Sequence, residues 1–184
     1  MSFKPLRRLL LALLFAASGA LAQTNNFNTL DKGGIQILCK SAVAVSAPAD
    51  TNEDTLATCT VPANAMGANG VLRIRTRWSA TNNANNKIVR SRFSGGAGTT
   101  FGAITLSGWG YQQLEVTISN RNATNSQEGA QIAFINSNLL TSSATTTSAV
   151  DTTAATTIVI TGQKATGTDT LTLESFLVEL MPSN

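Results

Sequence analysis

Between Thr55 and Leu114 the chain carries six cations, Arg73, Arg75, Arg77, Lys87, Arg90 and Arg92, and no Asp or Glu. Arg73, Arg75 and Arg77 alternate with Leu72, Ile74, Thr76 and Trp78, a period of two that sets the guanidiniums on one face of a strand. If strands over 71–79 and 87–93 form a hairpin around residues 80–86, Arg73, Arg75, Arg77, Arg90 and Arg92 share that face. Guanidinium forks match carboxylates, phosphates and sulfates, so one reading is an anion-binding face for acidic or phosphorylated surface sugars. The other is pairing with Glu115, Glu174 and Glu179 on neighbouring strands or subunits. Pairing is the expectation, because like charges side by side are unfavourable unless neutralised.

Three further groups could carry chemistry. Trp109 and Tyr111 lie in the turn-like run Ser107-Gly108-Trp109-Gly110-Tyr111. They either stack on sugar rings, or Trp109 folds over a sheet end and closes the core; closure is the expectation. Asp50-Thr51-Asn52-Glu53-Asp54 begins like a calcium loop, but the sixth position is Thr55 and the twelfth Val61, where such a loop needs Gly and Glu. It reads as a polar hairpin tip, with no metal expected. Cys39 and Cys59 are the only thiols. Ala49 lies midway between them, so a simple hairpin brings them face to face for a disulfide; the alternative is two separate buried thiols.

The chain has no histidine, which excludes His-based triads, imidazole acid–base chemistry and His-ligated metals. Ten scattered acids point to no carboxylate pair of the kind glycosidases use. No catalytic residue and no cofactor are expected.

These groups sit behind a leader. Lys4, Arg7 and Arg8 precede the apolar run 9–17, and Ala20-Leu21-Ala22 is a small-x-small cleavage site, so residues 1–22 read as a signal peptide or an uncleaved membrane anchor. The leader holds three of the 13 cations and none of the 10 acids, so the chain beyond it is balanced and the full chain's net charge of +3 is no footprint for nucleic acid. Residues 23–34 are a polar linker, and 35–184 suffice for one domain with a sizeable core.

Within that domain, β-like runs lie at 35–46, 55–61, 71–79, 87–93, 101–106, 112–120, 131–135, 156–161 and 170–181, separated by Gly, Asn, Ser and Pro. In 112–120, Leu114, Val116 and Ile118 oppose Glu115, Thr117 and Ser119. Leu171 and Leu173 are followed by Phe176, Val178 and Leu180, a phase slip that predicts a β-bulge near Glu174–Ser175. Residues 139–161, rich in Ser, Thr and Ala, read as a long loop followed by a strand. One apolar and one polar face per strand implies an antiparallel β-sandwich, and eight or nine strands imply the jelly-roll type.

Four runs have a distinctive order. They are Val61-Pro62-Ala63-Asn64-Ala65-Met66-Gly67-Ala68-Asn69-Gly70-Val71-Leu72-Arg73-Ile74; Trp78-Ser79-Ala80-Thr81-Asn82-Asn83-Ala84-Asn85-Asn86-Lys87; Ile118-Ser119-Asn120-Arg121-Asn122 with Asn125-Ser126-Gln127; and Leu171-Thr172-Leu173-Glu174-Ser175-Phe176-Leu177-Val178-Glu179-Leu180. Together they resemble a module of bacteriophage virion proteins of the tail, fibre and head-decoration kinds. The resemblance spans residues 43–180. It implies a jelly roll, assembly as a homotrimer, other virion proteins or a cell-surface glycan as partners, and a role in virion structure or host attachment. Cleavage of the leader would instead suit an exported carbohydrate-binding protein, adhesin or carbohydrate-active enzyme of the host, periplasmic or extracellular.

Overall fold

The computed structural model describes residues 34–135, 138–141 and 145–183. The predicted leader and residues 23–33 of the linker lie outside them. Twelve strands are present among the described residues: β1 (Gln36–Ser41), β2 (Val45–Ser46), β3 (Glu53–Val61), β4 (Val71–Ala80), β5 (Lys87–Phe93), β6 (Thr99–Leu106), β7 (Tyr111–Asn120), β8 (Gln127–Ile135), β9 (Asn138–Thr141), β10 (Thr146–Ser148), β11 (Thr156–Lys164) and β12 (Leu171–Met181). One sheet runs β1-β12-β4-β7-β8-β10, with β2 beside β12 and β9 beside β8. The other runs β3-β11-β5-β6.

Set aside β2 and β8 to β10, and eight strands remain. In chain order the first pairs with the last (β1 with β12), the second with the seventh (β3 with β11), the third with the sixth (β4 with β7) and the fourth with the fifth (β5 with β6), all antiparallel. Successive pairs alternate between the two sheets. This is a long antiparallel ribbon rolled into a sandwich, the jelly roll that the strand count and alternation predict.

The alternating apolar residues meet between the sheets. Leu72, Ile74 and Trp78 of β4, Leu114, Val116 and Ile118 of β7, and Val178 and Leu180 of β12 face Val89 and Phe93 of β5 and Ile158 and Ile160 of β11. Two glycines permit the closest approach of edge strand β6 to the large sheet. A Cβ on Gly102 would lie 2.3 Å from Val116 Cγ2, and one on Gly129 would lie 2.4 Å from Phe101 Cδ1 and 2.6 Å from the Thr117 carbonyl oxygen. Gln131 seals that edge: its Oε1 accepts the Ala103 N–H at 2.6 Å and its Nε2 donates to the Ala103 carbonyl at 3.1 Å.

Several expectations change in detail. The bulge is where the phase slip put it, between Leu173 and Ser175. On the other side of β12 from β4, the expected strand 35–46 breaks into β1 and β2, which pair with β12 on either side of the slip, whereas β4 runs unbroken across it. The stretch 139–161 is not one loop: β9 and β10 lie along β8, so the large sheet extends further than the sequence indicated.

The disulfide is present, but not for the expected reason. Cys39 and Cys59 are bonded, with Cα atoms 5.8 Å apart. They are not neighbours in a hairpin. β1 pairs with β12 in the large sheet and β3 with β11 in the small one, so the bond ties the two layers together. Among the described residues no helix is long and apolar enough to cross a membrane.

Candidate functional site

The arginines do not form one face. β4 lies in the large sheet and β5 in the small one, so the expected hairpin around residues 80–86 is instead a crossover between layers. Arg73, Arg75 and Arg77 lie on the outer face of the large sheet, and Arg90 and Arg92 on the outer face of the small one. A single five-arginine anion site is therefore excluded by topology.

Four of the five are held by acids. Glu179 is the cross-strand neighbour of Arg73, accepts from its Nε at 2.8 Å and bridges to Arg75 Nη2 at 3.1 Å. The hydrogen bond from Arg73 and the charge of both arginines hold the Glu179 carboxyl below its usual range, against the opposing effect of burial. On the other face, Glu53 accepts from Arg92 Nε and Nη2, each at 2.8 Å, and lies 3.1 Å from Arg90 Nη1. Thr161 Oγ1 also donates to it at 2.6 Å. The Arg92 hydrogen bonds, helped by Thr161 and the Arg90 charge and opposed by burial, bring the Glu53 pKa down to about 2. Of the acids expected as partners, Glu179 alone serves. Glu115 stands across from Arg75 without an ion pair, and Glu174 accepts from Ser79 Oγ. Glu53 was invisible as a partner because β11 lies between β3 and β5.

The sixth cation of the block is buried. Lys87, 1% exposed, lies 3.2 Å from Asp169 Oδ2 and donates to Asn83 Oδ1 and to the Asn85 carbonyl. Asp169 accepts from Asn83 Nδ2 at 2.8 Å and Asn85 Nδ2 at 3.1 Å, and these bonds, with Lys87, lower its pKa. The Asn-rich run 82–87 is thus an ion-pair clamp between the crossover and the β11–β12 connection. A second polar cluster joins other loops. Asn120 Nδ2 donates to the Gly67 carbonyl and to Thr152 Oγ1, Gln127 Nε2 donates to Asn120 Oδ1, and Gln127 Oε1 accepts the Val150 N–H at 2.9 Å. The distinctive runs therefore hold loops, as buried polar groups must find partners.

Asp50 makes a local turn, its Oδ1 accepting the Asn52 N–H at 2.9 Å. Among the described residues no three Asp, Glu or Cys cluster as metal ligands.

The aromatic pair departs from expectation. Trp109 does not close the core; it is 37% exposed, and the buried tryptophan is Trp78. Gly108, at φ +73° and with its N–H on the Asn83 carbonyl, turns the loop back toward the crossover and leaves Trp109 at the surface. Tyr111 is 72% exposed. It lines a cleft of about 860 Å³ on the outer face of the large sheet, together with Arg77, Gln113, Phe134, Glu174 and Ser175. Trp109 does not line it.

The cleft follows one rung of the sheet. Ser175 of β12 pairs with Arg77 of β4, Arg77 with Gln113 of β7, and Gln113 with Phe134 of β8. Four strands at ~4.8 Å spacing make this rung roughly 14 Å long. Tyr111 stands one step along β7, opposite Ser79. The bulge in β12 turns Glu174 and Ser175 onto this rung. Phe134 was missed in the sequence, yet a signal existed: Ile132-Ala133-Phe134-Ile135 is apolar on both faces, which a strand solvated on one side does not need. An exposed ring beside polar side chains in a concave surface is a combination that small-ligand sites use.

Fold and surface together define a disulfide-linked jelly-roll β-sandwich with a polar–aromatic cleft on its larger sheet. No protein family matches the chain, and no curated protein does. Among solved structures it is similar to a Lotus tetragonolobus seed lectin (8% identity, 84% of this chain and 95% of that one, TM-score 0.39). It is similar also to lectin I of Ulex europaeus in complex with the methyl glycoside of α-L-fucose (8% identity, 84% and 93%, TM-score 0.39). A structure of infectious bursal disease virus, Gx strain, matches more weakly (9% identity, 83% and 42%, TM-score 0.29). The fold assignment rests on the strand pairing and not on these similarities.

Proposed function

We propose that this chain is a non-enzymatic attachment module of a virion or an exported surface protein, which binds cell-surface carbohydrate in the cleft lined by Tyr111. The observation that carries this reading is the Tyr111 ring, 72% exposed at the edge of a cleft that also offers Arg77, Gln113, Ser175 and Glu174. A pyranose has an apolar face and a rim of hydroxyls, so a ring flanked by donors and acceptors complements it. Among the described residues Glu174 is the one acid lining the cleft, whereas glycoside hydrolysis uses two facing carboxyls. The virion role and the homotrimer draw on the resemblance of the four sequence runs. The disulfide favours the exported form, because such bonds persist in oxidising compartments.

An immobilised glycan panel tests this, probed with the wild type and Tyr111→Ala. At least one glycan should be retained by the wild type and lost with the substitution, with no reducing sugar released. A wild-type protein that binds nothing overturns the reading. Light scattering should give three times the chain mass, and mass spectrometry of purified particles decides between virion and secreted forms.

A further inference from the structure

We infer that the cleft selects carbohydrate bearing a carboxylate, and that Arg77 is the residue that reads it. The inference rests on the glycan-binding reading and adds the ligand's charge to it.

Of the six cations between Thr55 and Leu114, five are committed. Arg73 and Arg75 are bridged to Glu179, Arg90 and Arg92 to Glu53, and Lys87 to Asp169. Arg77 is exposed and makes no ion pair or side-chain hydrogen bond among the described residues. Among the described residues none of Glu115, Glu174 and Glu179, all on this face of the sheet, neutralises it. Glu115, one rung away on β7 opposite Arg75, makes no ion pair. Glu179 lies further along β12, opposite Arg73, and already serves two arginines. Glu174 lines the same cleft but stands more than an ion-pair distance away, its carboxylate accepting from Ser79 Oγ.

The cleft therefore holds one uncommitted guanidinium on its central rung, between Ser175 and Gln113. A planar fork of donors matches a carboxylate in two parallel hydrogen bonds. A single fork with no second free cation beside it suits a monoanion and not a phosphate dianion. A sulfate ester is the competing monoanion, and a sulfated oligosaccharide that bound through Arg77 where no carboxylate member did would overturn the inference. Tyr111, diagonal to Arg77 on the same face, is placed to hold the apolar side of the acidic sugar's ring, and Gln113 and Ser175 are placed for its hydroxyls.

The test uses the full chain and a panel of uronate and sialylated oligosaccharides, each beside its counterpart with carboxyls reduced to alcohols. At least one acidic member should bind ten-fold or more tightly than its reduced partner at low salt. That preference should shrink in about 1 M salt, where the screening length is ~3 Å. Arg77→Gln should abolish the preference and Arg77→Lys should keep part of it, both with unchanged melting temperature. Tyr111→Ala should weaken acidic and reduced members alike. If every bound glycan binds as tightly as its reduced partner, or Arg77→Gln leaves the preference intact, the inference is overturned while carbohydrate binding stands. If the wild type binds no member, the inference falls, and the wider glycan panel decides separately whether carbohydrate binding stands.

Discussion

Cys39 and Cys59 belong to different sheets, and the bond between them links edge strand β1 of one layer to edge strand β3 of the other. Twenty residues separate them. Closing a loop of that size in the unfolded chain is worth about 3 kcal/mol. Replacing both with Ser should lower the free energy of denaturant unfolding by about that amount, and reductant should do the same to the wild type. An unfolding midpoint indifferent to reductant would show that the bond contributes nothing to this fold.

Acid should attack the outer face of the small sheet. The Glu53 pKa falls from an ordinary 4.5 to about 2 in the folded protein. A depressed carboxylate stabilises fully above the unfolded value, and its contribution disappears as pH drops from about 4.5 toward 2. Glu53→Gln should cost about 1–2 kcal/mol at neutral pH, between the values for exposed and buried pairs. It should also flatten the stability profile across that window. Chemical denaturation of both proteins at a series of pH values measures it; parallel profiles would refute the assignment.

Gly129→Ala should destabilise by about 1–3 kcal/mol, as overpacking does. The new methyl meets the Thr117 carbonyl, which is backbone within the same sheet and cannot move aside as a side chain would. Gly96→Ala, where an added Cβ meets nothing within 4 Å, is the matched control and should be close to neutral.

Gln127→Leu should cost about 2–3 kcal/mol. The side chain is buried, and removing its amide strands the buried Asn120 Oδ1 and removes the partner of the half-buried Val150 N–H and Ser148 Oγ. Thermal melting reports it, and a loss below that of an exposed Gln substitution would show that water reaches this cluster.

The two tryptophans should separate by fluorescence. Trp78 is 1% exposed and donates from Nε1 to Thr76 Oγ1 at 2.8 Å, whereas Trp109 is at the surface. Trp109→Phe should leave a blue-shifted emission that resists iodide quenching, with melting temperature unchanged. A large loss of stability would mean that Trp109 closes the core after all.

The period-two patterns of 71–79 and 112–120 were enough to assign strands, their inward faces and a sandwich, because alternation is a local property of extended backbone. The slip after Leu173 likewise located the bulge from sequence, since one extra residue must invert the faces that follow. Which strands would be neighbours was not local. β4 and β5 follow one another in the chain yet lie in opposite layers, so the arginine cluster read from spacing divides between two faces. Cys39 and Cys59 meet although no hairpin joins their strands. Glu53 reaches Arg92 across β11, a strand about a hundred residues later in the chain. Only the rolled topology decided that Arg77 stays uncommitted and that Tyr111 and Phe134 line the same cleft, because a charge finds its partner through the strands that pack next to it, and those are chosen by burial of the whole core.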